Sequence, residues 1–319
     1  MSSMASTDPQ ALSGQAQIDE LIRVNLDDFL DSLGLAKLRF GRGLLEAIFR
    51  PSARRFAEQI ATFDQINGDK GLPAGADWLL KHYMATLEVA GRAQVPDTGP
   101  LLVVCNHPGM ADTIALFVAL GRPDLRIIAN DRPFLRALPN ATKQLIRVPE
   151  GGERLSVVRS VLANLKAGRA VVTFPAGKIE PDPGVMPGAR ASLDAWSDSA
   201  TLFAQRVPET VIVPAIVSGV QSAGAQRNPL RMLRRQEKDR DKMAAGLQIL
   251  LPRYRGVPVR VCFGPPMKAA DLLRDHPEPG GLHAAVLAAA AALIDSPPAE
   301  WTLVARGNYP GPRPDQPRG

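Results

Sequence analysis

The residues of this chain best suited to chemistry are a histidine and an aspartate five positions apart, His107 and Asp112, in the stretch LLVVCNHPGMAD from 101 to 112. In one continuous helix that spacing would turn the two side chains roughly 140° away from each other. They meet only if His107 lies in a turn ahead of a helix and Asp112 in the helix's first turn. Pro108 favours that break, because a residue before proline is pushed out of the α region. Gly109 relieves the steric cost of the turn. A carboxylate that holds an imidazole fixes its tautomer and leaves the other ring nitrogen to move a proton. From spacing alone the pair has two readings: a general base with its orienting aspartate, or a structural histidine near a capping aspartate.

Three further stretches bear on chemistry. Arg147 ends a strand pattern, Ile146-Arg147-Val148, and Arg154 follows the glycine-containing loop 149–152. A guanidinium there suits a phosphate or carboxylate, and equally suits a bare surface position. The stretch FPAGKIE, Phe174 to Glu180, follows an apolar run. Its Pro175-Ala176-Gly177 turn lets backbone amides and the point charge of Lys178 face a ligand. In Val213-Pro214-Ala215-Ile216 a proline falls inside a strand pattern, which implies a sheet edge or a bulge that could shape a wall.

The elements that must position these residues follow from periodicity. Strand patterns cover Leu101–Val104, Leu125–Ala129, Gln144–Val148, Ala170–Phe174, Val211–Val217 and Val257–Phe263. Helical patterns separate most of them, over Asp112–Leu120, Arg154–Leu165, Ala191–Gln205 and Leu230–Leu250. This alternation predicts an α/β fold, a mostly parallel sheet covered by helices. Sites in open α/β sheets gather at strand ends, which is where His107 falls. From about Ile18 to Ala93 the pattern is helical, punctuated at Pro51 and at 68–75, and a last helix carries Trp78, Tyr83, Met84 and Leu87. The expected organisation is a disordered tail at 1–17, a helical N-terminal region at 18–96, an α/β domain at 97–300 and a C-terminal tail at 301–319.

Composition narrows the class. The 319 residues are 45% hydrophobic but only 5% aromatic, so a sizeable core must be mostly aliphatic. The net charge of +6 suggests an anionic partner without naming it. Cys105 and Cys262 sit in apolar strand patterns and read as reduced core residues of a cytosolic protein, with no metal-ligand spacing. No secretory signal is visible, and no stretch reaches the roughly 18 apolar residues of a membrane span. Lys37, Arg39, Arg42, Arg50, Arg54 and Arg55 cluster near Phe40 and Phe49 against Glu46 alone. That is either a basic amphipathic helix for an anionic membrane surface or a solvated basic face.

Taken together and in order, NHPGMAD, the Arg147 region, FPAGK and VPA resemble the four blocks of the glycerolipid acyltransferases, the superfamily of glycerol-3-phosphate and lysophosphatidic acid acyltransferases. The FGPPM stretch, Phe263 to Met267, resembles that family's late strand and turn. The likeness covers about Pro100 to Ala270, and the first block with Asn106 is its most specific part. The FPAG form is similar to a bacterial branch that includes haemolysin-like and lyso-ornithine-lipid acyltransferases. The resemblance implies an O-acyltransferase of phospholipid biosynthesis, of the 1-acylglycerol-3-phosphate type. In it His107 is the general base, Asp112 its orienting partner, and the acyl group passes from acyl-CoA or acyl-carrier protein to a hydroxyl of a lysophospholipid-like acceptor. No covalent intermediate forms, in keeping with a sequence that has no G-x-S-x-G elbow. Gly177 and its neighbours would support the oxyanion. Arg147 or Arg154, with Lys178, would hold the acceptor's acidic head; Asn106, Phe174, Pro175 and Pro214 complete the implied substrate site. No cofactor is implied beyond the acyl donor, and the protein would sit on the inner, cytoplasmic face of a membrane. The common third block is FPEGTR; here Ala176, Lys178 and Ile179 stand at its Glu, Thr and Arg positions. A lysine does not reproduce the lost guanidinium fork, so the acceptor need not be a glycerol phosphate.

Other classes fit less well. A metal hydrolase would use His107 and Asp112 as ligands, but no third and fourth His or Cys stand at ligand spacing. A nucleic-acid binder would use Arg227 to Lys242, which has compensating acids and no interleaved aromatics, and so reads as a solvated helix. A non-catalytic lipid- or membrane-binding relative is the remaining alternative, against which the intact His107 and Asp112 argue.

Overall fold

The computed structural model describes residues 14–35, 41–109, 111–149 and 154–309. Three helices open the chain, α1 (Gly14–Ser32), α2 (Arg42–Lys70) and α3 (Leu72–Leu80), followed by strands β1 (Met84–Ala90) and β2 (Leu101–Cys105). Then come α4 (Asp112–Leu120), β3 (Arg126–Asn130), α5 (Pro133–Arg136), β4 (Leu145–Val148), α6 (Arg154–Lys166) and β5 (Ala170–Thr173). Next are α7 (Ala189–Ser192), α8 (Ser199–Arg206), β6 (Val211–Ser218), α9 (Ala223–Gln226) and α10 (Glu237–Leu250). The chain closes with β7 (Val257–Phe263), β8 (Met267–Lys268), α11 (Ala269–Asp275), α12 (Gly281–Asp295) and β9 (Thr302–Arg306).

One sheet joins these strands in the order β4-β3-β5-β2-β6-β7-β1-β9, with β8 paired to β6. The run from β4 to β6 is parallel throughout. β7 turns antiparallel to β6 and parallel to β1, and β9 is antiparallel to β1. The central strand β2 is buried along its whole length, so its side chains alternate between two apolar layers. Leu101, Val103 and Cys105 face the layer packed under α1 to α4, while Leu102 and Val104 face the layer covered by α6, α8 and α12.

Several expectations are corrected. The helical reading through Ala93 fails at Met84–Ala90, which is strand β1: buried Leu87 and Val89 alternate with half-buried Thr86 and Glu88. Its parallel partner β7 lies some 170 residues on in sequence, so no turn beside it announces a strand. The expected C-terminal tail contributes edge strand β9, and the expected N-terminal tail becomes helical at Gly14. Helix α2 runs through Pro51 without ending, because the carbonyl that proline leaves unbonded faces solvent at exposed Ala47. The helix expected over Ala191–Gln205 breaks at Trp196, whose side chain is buried and donates to Glu180. The helix expected over Leu230–Leu250 starts only at Glu237, and its charges close on one another as Arg231–Asp241 and Arg234–Asp239 pairs. Pro214 lies on central strand β6, neither at an edge nor at a bulge. Its carbonyl accepts from Gly264, so its missing N–H faces the gap where β6 changes partner from β8 to β7. The stretches 1–13, 36–40, 150–153 and 310–319, which include Lys37, Arg39 and Phe40, lie outside the described residues.

The helical hairpin α1–α2 is tied to the α/β body by one buried carboxylate. Asp64 on α2 accepts from the backbone amides of Asn140 at 3.1 Å and Ala141 at 2.7 Å, and from the Gln17 amide of α1 at 3.4 Å. We expect Asp64→Ala to cost about 3 kcal/mol, since a charge-assisted pair is lost and buried Ala141 keeps an unpaired N–H. Urea unfolding would measure it; a loss under about 1 kcal/mol would mean that water replaces the carboxylate.

Candidate active site

The site forms where β2 runs out. Asn106, the first residue past the strand, is buried and bridges to β6 in both directions. Its side-chain amide donates to the Val217 carbonyl at 3.0 Å and its carbonyl oxygen accepts from the Val217 amide at 2.8 Å. The turn that follows needs Gly109, whose φ of 89° is strained for any side chain. It delivers His107 to Asp112, the first residue of α4: His107 Nδ1 lies 2.7 Å from Asp112 Oδ2.

Asp112 is 0% exposed and fully engaged. Oδ2 also accepts from the Gly109 amide at 2.8 Å, while Oδ1 accepts from the Thr113 amide and from the Thr113 hydroxyl at 3.0 Å. Its place at a helix start adds the favourable end of the helix dipole. With Nδ1 held by a carboxylate, Nε2 is the nitrogen left for a substrate, and it has no hydrogen-bond partner among the described residues. Burial disfavours the imidazolium, but the Asp112 carboxylate beside it, helped by Glu180, outweighs that penalty and holds the His107 pKa above the usual imidazole value.

The loop after β5 closes the other side. Phe174 stacks on the imidazole, with ring centroids 4.5 Å apart and planes at 23°. Glu180, which spacing did not single out as a site residue, is 2% exposed and grips the backbone of His107. Its Oε2 accepts from the His107 amide at 2.9 Å and its own amide donates to the His107 carbonyl at 2.8 Å. Ser192 and Trp196 donate to Oε1 at 3.0 and 2.8 Å. These partners lie 12, 16 and 73 positions away, so the only local signal was an acid just past a glycine turn.

His107 opens onto a cavity of about 610 Å³ between the sheet and helices α2 to α5. Its wall is aliphatic and aromatic, and apart from His107 its charged members are Arg132 and Lys178. Of the residues expected in a site, His107, Phe174, Gly177 and Lys178 line this cavity, with Asp112 directly behind His107. Arg147 does not: it is exposed on β4, the edge strand, near Asp131. Pro214 is buried on the opposite face of the sheet with Ile212 and Ile216, and Pro175 is buried below the loop, accepting from the Ser197 amide. Arg154 opens α6, and its side chain lies outside the described part of the structure. The Gly177 amide is turned inward onto the Phe174 carbonyl at 3.0 Å, so it cannot serve an oxyanion. The amides of Lys178 and Ile179 have no such partner among the described residues.

Chemically, the arrangement can move a proton to and from a ligand at the mouth of an apolar cavity. Cys105, next to Asn106, is buried and its thiol is pushed well up by burial, so it is no nucleophile. Among the described residues no group of three or more His, Cys, Asp or Glu could hold a metal ion.

Comparison with known proteins shows what part of the chain is similar to them. No curated protein matches the sequence. A solved structure that matches is the 1-acyl-sn-glycerophosphate (LPA) acyltransferase, PlsC, from Thermotoga maritima, at 16% identity over 89% of this chain and 99% of that one, with a TM-score of 0.45. A family model described as Acyltransferase matches residues 86–218, from within β1 to the end of β6. That segment contains His107, Asp112 and Glu180.

Proposed function

We propose that the protein is an O-acyltransferase that moves a fatty acyl group from acyl-CoA or acyl-carrier protein to the hydroxyl of a lysophospholipid-like acceptor. The observation that carries this reading is the buried Asp112–His107 pair standing at the wall of an apolar cavity whose other charges are both cationic. Such a cavity suits an amphiphile: a fatty chain within, an anionic head or the donor's phosphates at Arg132 and Lys178. In this reading Arg132 takes the part that the family resemblance assigned to Arg147 or Arg154.

In the proposed reaction His107 Nε2 takes the proton of the acceptor hydroxyl as its oxygen attacks the thioester carbonyl. The C–O bond forms, the tetrahedral oxyanion collapses, and the C–S bond breaks. The imidazolium returns its proton to the departing thiolate, so donor thiol and acylated lipid are the products. Asp112 holds the tautomer and stabilises the imidazolium. The amides of Lys178 and Ile179 are the candidates for the oxyanion, in place of Gly177.

The start of α2 supports docking on an anionic membrane surface, on the cytoplasmic side in this reading. Leu44 and Ile48 are 69% and 57% exposed beside exposed Arg50. Among the described residues no helix is long and apolar enough to cross a membrane.

The test is turnover of acyl-CoA and acyl-carrier protein by the purified chain against glycerol-3-phosphate, lysophosphatidic acid, lyso-ornithine lipid and several lysophospholipids. Transfer to one acceptor is expected, falling by about 10³-fold or more in His107→Ala. Silence across the panel would favour a lipid-binding relative without catalysis. The pH profile carries a sign as well. The base works only when neutral, and Asp112 and Glu180 hold its pKa up. Activity is therefore expected to fall on acidification through a midpoint above 6.5, the ordinary imidazole value. An acid limb at or below that value would mean that the two carboxylates do not hold the His107 pKa up.

A further inference from the structure

We propose that Glu180 is a positioning residue of this site, a second buried carboxylate that fixes the His107 backbone and lends its charge to the imidazolium formed in the reaction. The inference rests on the acyl-transfer reading above, but its physical content can be measured without turnover.

Glu180 and His107 exchange two hydrogen bonds, His107 N–H to Oε2 and Glu180 N–H to the His107 carbonyl, at 2.9 and 2.8 Å. This fixes the peptide that carries the imidazole, while Asp112 holds the ring. The carboxylate is held in turn by Trp196 Nε1 at 2.8 Å and the Ser192 hydroxyl at 3.0 Å. A contact of this kind needs an acceptor but no charge, and a charge buried without a counter-ion is costly. Among the described residues no lysine or arginine is paired with Glu180. The cation that would balance it is His107 itself, once protonated.

The other groups around the imidazole do not supply that balance. Asp112 on α4 is an anion at Nδ1, and Cys105 on β2 is a neutral buried thiol. Lys178 and Arg132 stand on the cavity wall, and both are exposed to solvent. Asp182, two residues past Glu180, is turned away onto the amides of Gly184, Gly219 and Gln221. In the resting site His107 is therefore flanked by two carboxylates, Asp112 on its ring and Glu180 on its backbone. Burial lifts the Glu180 pKa above the usual carboxylate range, which the N–H donors and the His107 charge oppose. Protonation of His107 and ionisation of Glu180 support each other.

The experiment is an NMR titration of histidine-labelled protein, with His107→Ala used to assign the His107 signal, alongside steady-state kinetics. Glu180→Gln keeps the size and removes the charge. Its His107 midpoint is expected to move to lower pH, and the acid limb of activity with it. Turnover should fall roughly ten- to a hundredfold, the range seen for residues that orient metal-bound histidines, with KM for the acyl donor little changed. Glu180→Asp restores the charge at shorter reach and should return the midpoint towards that of the unmodified protein. A folded Glu180→Gln with an unmoved His107 midpoint would overturn the proposal, even if its melting temperature fell, because a purely structural role predicts that pattern. Should Glu180→Gln not fold, Trp196→Phe takes its place. It removes one donor from the carboxylate, disfavours its ionised form, and must lower the same midpoint; no movement would again overturn the proposal. Absence of turnover in the unmodified protein would defeat the acyl-transfer reading and leave the titration result standing.

Discussion

The carboxylate of Asp112 sets the terms for everything around it. An ionised group with no exposure is tolerable only when its lone pairs are used, and here four donors use them: the His107 ring, the Gly109 amide, and the Thr113 amide and hydroxyl. Two of these, the backbone amides, are fixed by the path of the chain from β2 into the first turn of α4. The turn at Gly109 must bring its amide back onto the carboxylate, which requires the positive φ that glycine supplies. The imidazole is then the donor that remains mobile in principle, and Phe174 stacked on its face removes most of that freedom.

The peptide carrying His107 is pinned from two other directions. Asn106 replaces a strand residue in a two-way bridge to Val217 of β6, and Glu180 brackets His107 itself from the loop after β5. The histidine thus hangs on β2, is tied to both neighbouring parallel strands or their loops, and leans on α4. Polar networks of this kind specify one arrangement when every member is satisfied. The satisfied side of the imidazole faces into the protein, while the ring itself lines the apolar cavity. That asymmetry is what the proposed proton transfer would use: the donors and acceptors that orient the ring are spent, and Nε2 is not.

How much of this the sequence disclosed depends on the range of the contacts. The break at Pro108-Gly109 and the meeting of His107 with Asp112 span five positions, and local stereochemistry was enough to foresee both. The buried strands from β2 to β7 were legible as short apolar runs between turn residues. β1 was not, because Met84 and Leu87 also satisfy a helical repeat and the strand's two partners are β7 and β9, both far along the chain. Arg147 illustrates the same limit in the site. Its position at a strand end next to a glycine loop suggested a ligand, but β4 is the sheet's edge and Arg147 is exposed there, while Leu145 and Val148 of the same strand line the cavity. Pro214 suggested an edge because the interruption it needs lies between its partners β7 and β8, at Gly264, and no property of its own neighbours reveals that. Glu180 was invisible as a site residue for the complementary reason: each of its partners is brought to it by the fold.

The segment that matches the acyltransferase family begins at residue 86, yet much of the cavity wall lies ahead of it. Phe56, Ile60 and Phe63 of α2, with Leu72, Leu79 and Leu80 of α3, roof the space onto which His107 opens. The polar cluster around His107 and the apolar roof of the cavity are therefore encoded in different parts of the polypeptide. The polar cluster depends on the turn at Gly109 and on long-range hydrogen bonds inside 86–218, and tolerates little change in shape. The roof depends on helix packing, where apolar residues of similar volume can exchange at modest cost. Asp64 couples the two, since it reaches from α2 to the Asn140–Ala141 turn, and Ala141 itself lines the cavity. Substitutions in the helical region can thus reshape what the cavity admits while leaving the His107 network intact. The reverse does not hold, because a shift in β2 or α4 moves both the imidazole and the floor of the cavity at once.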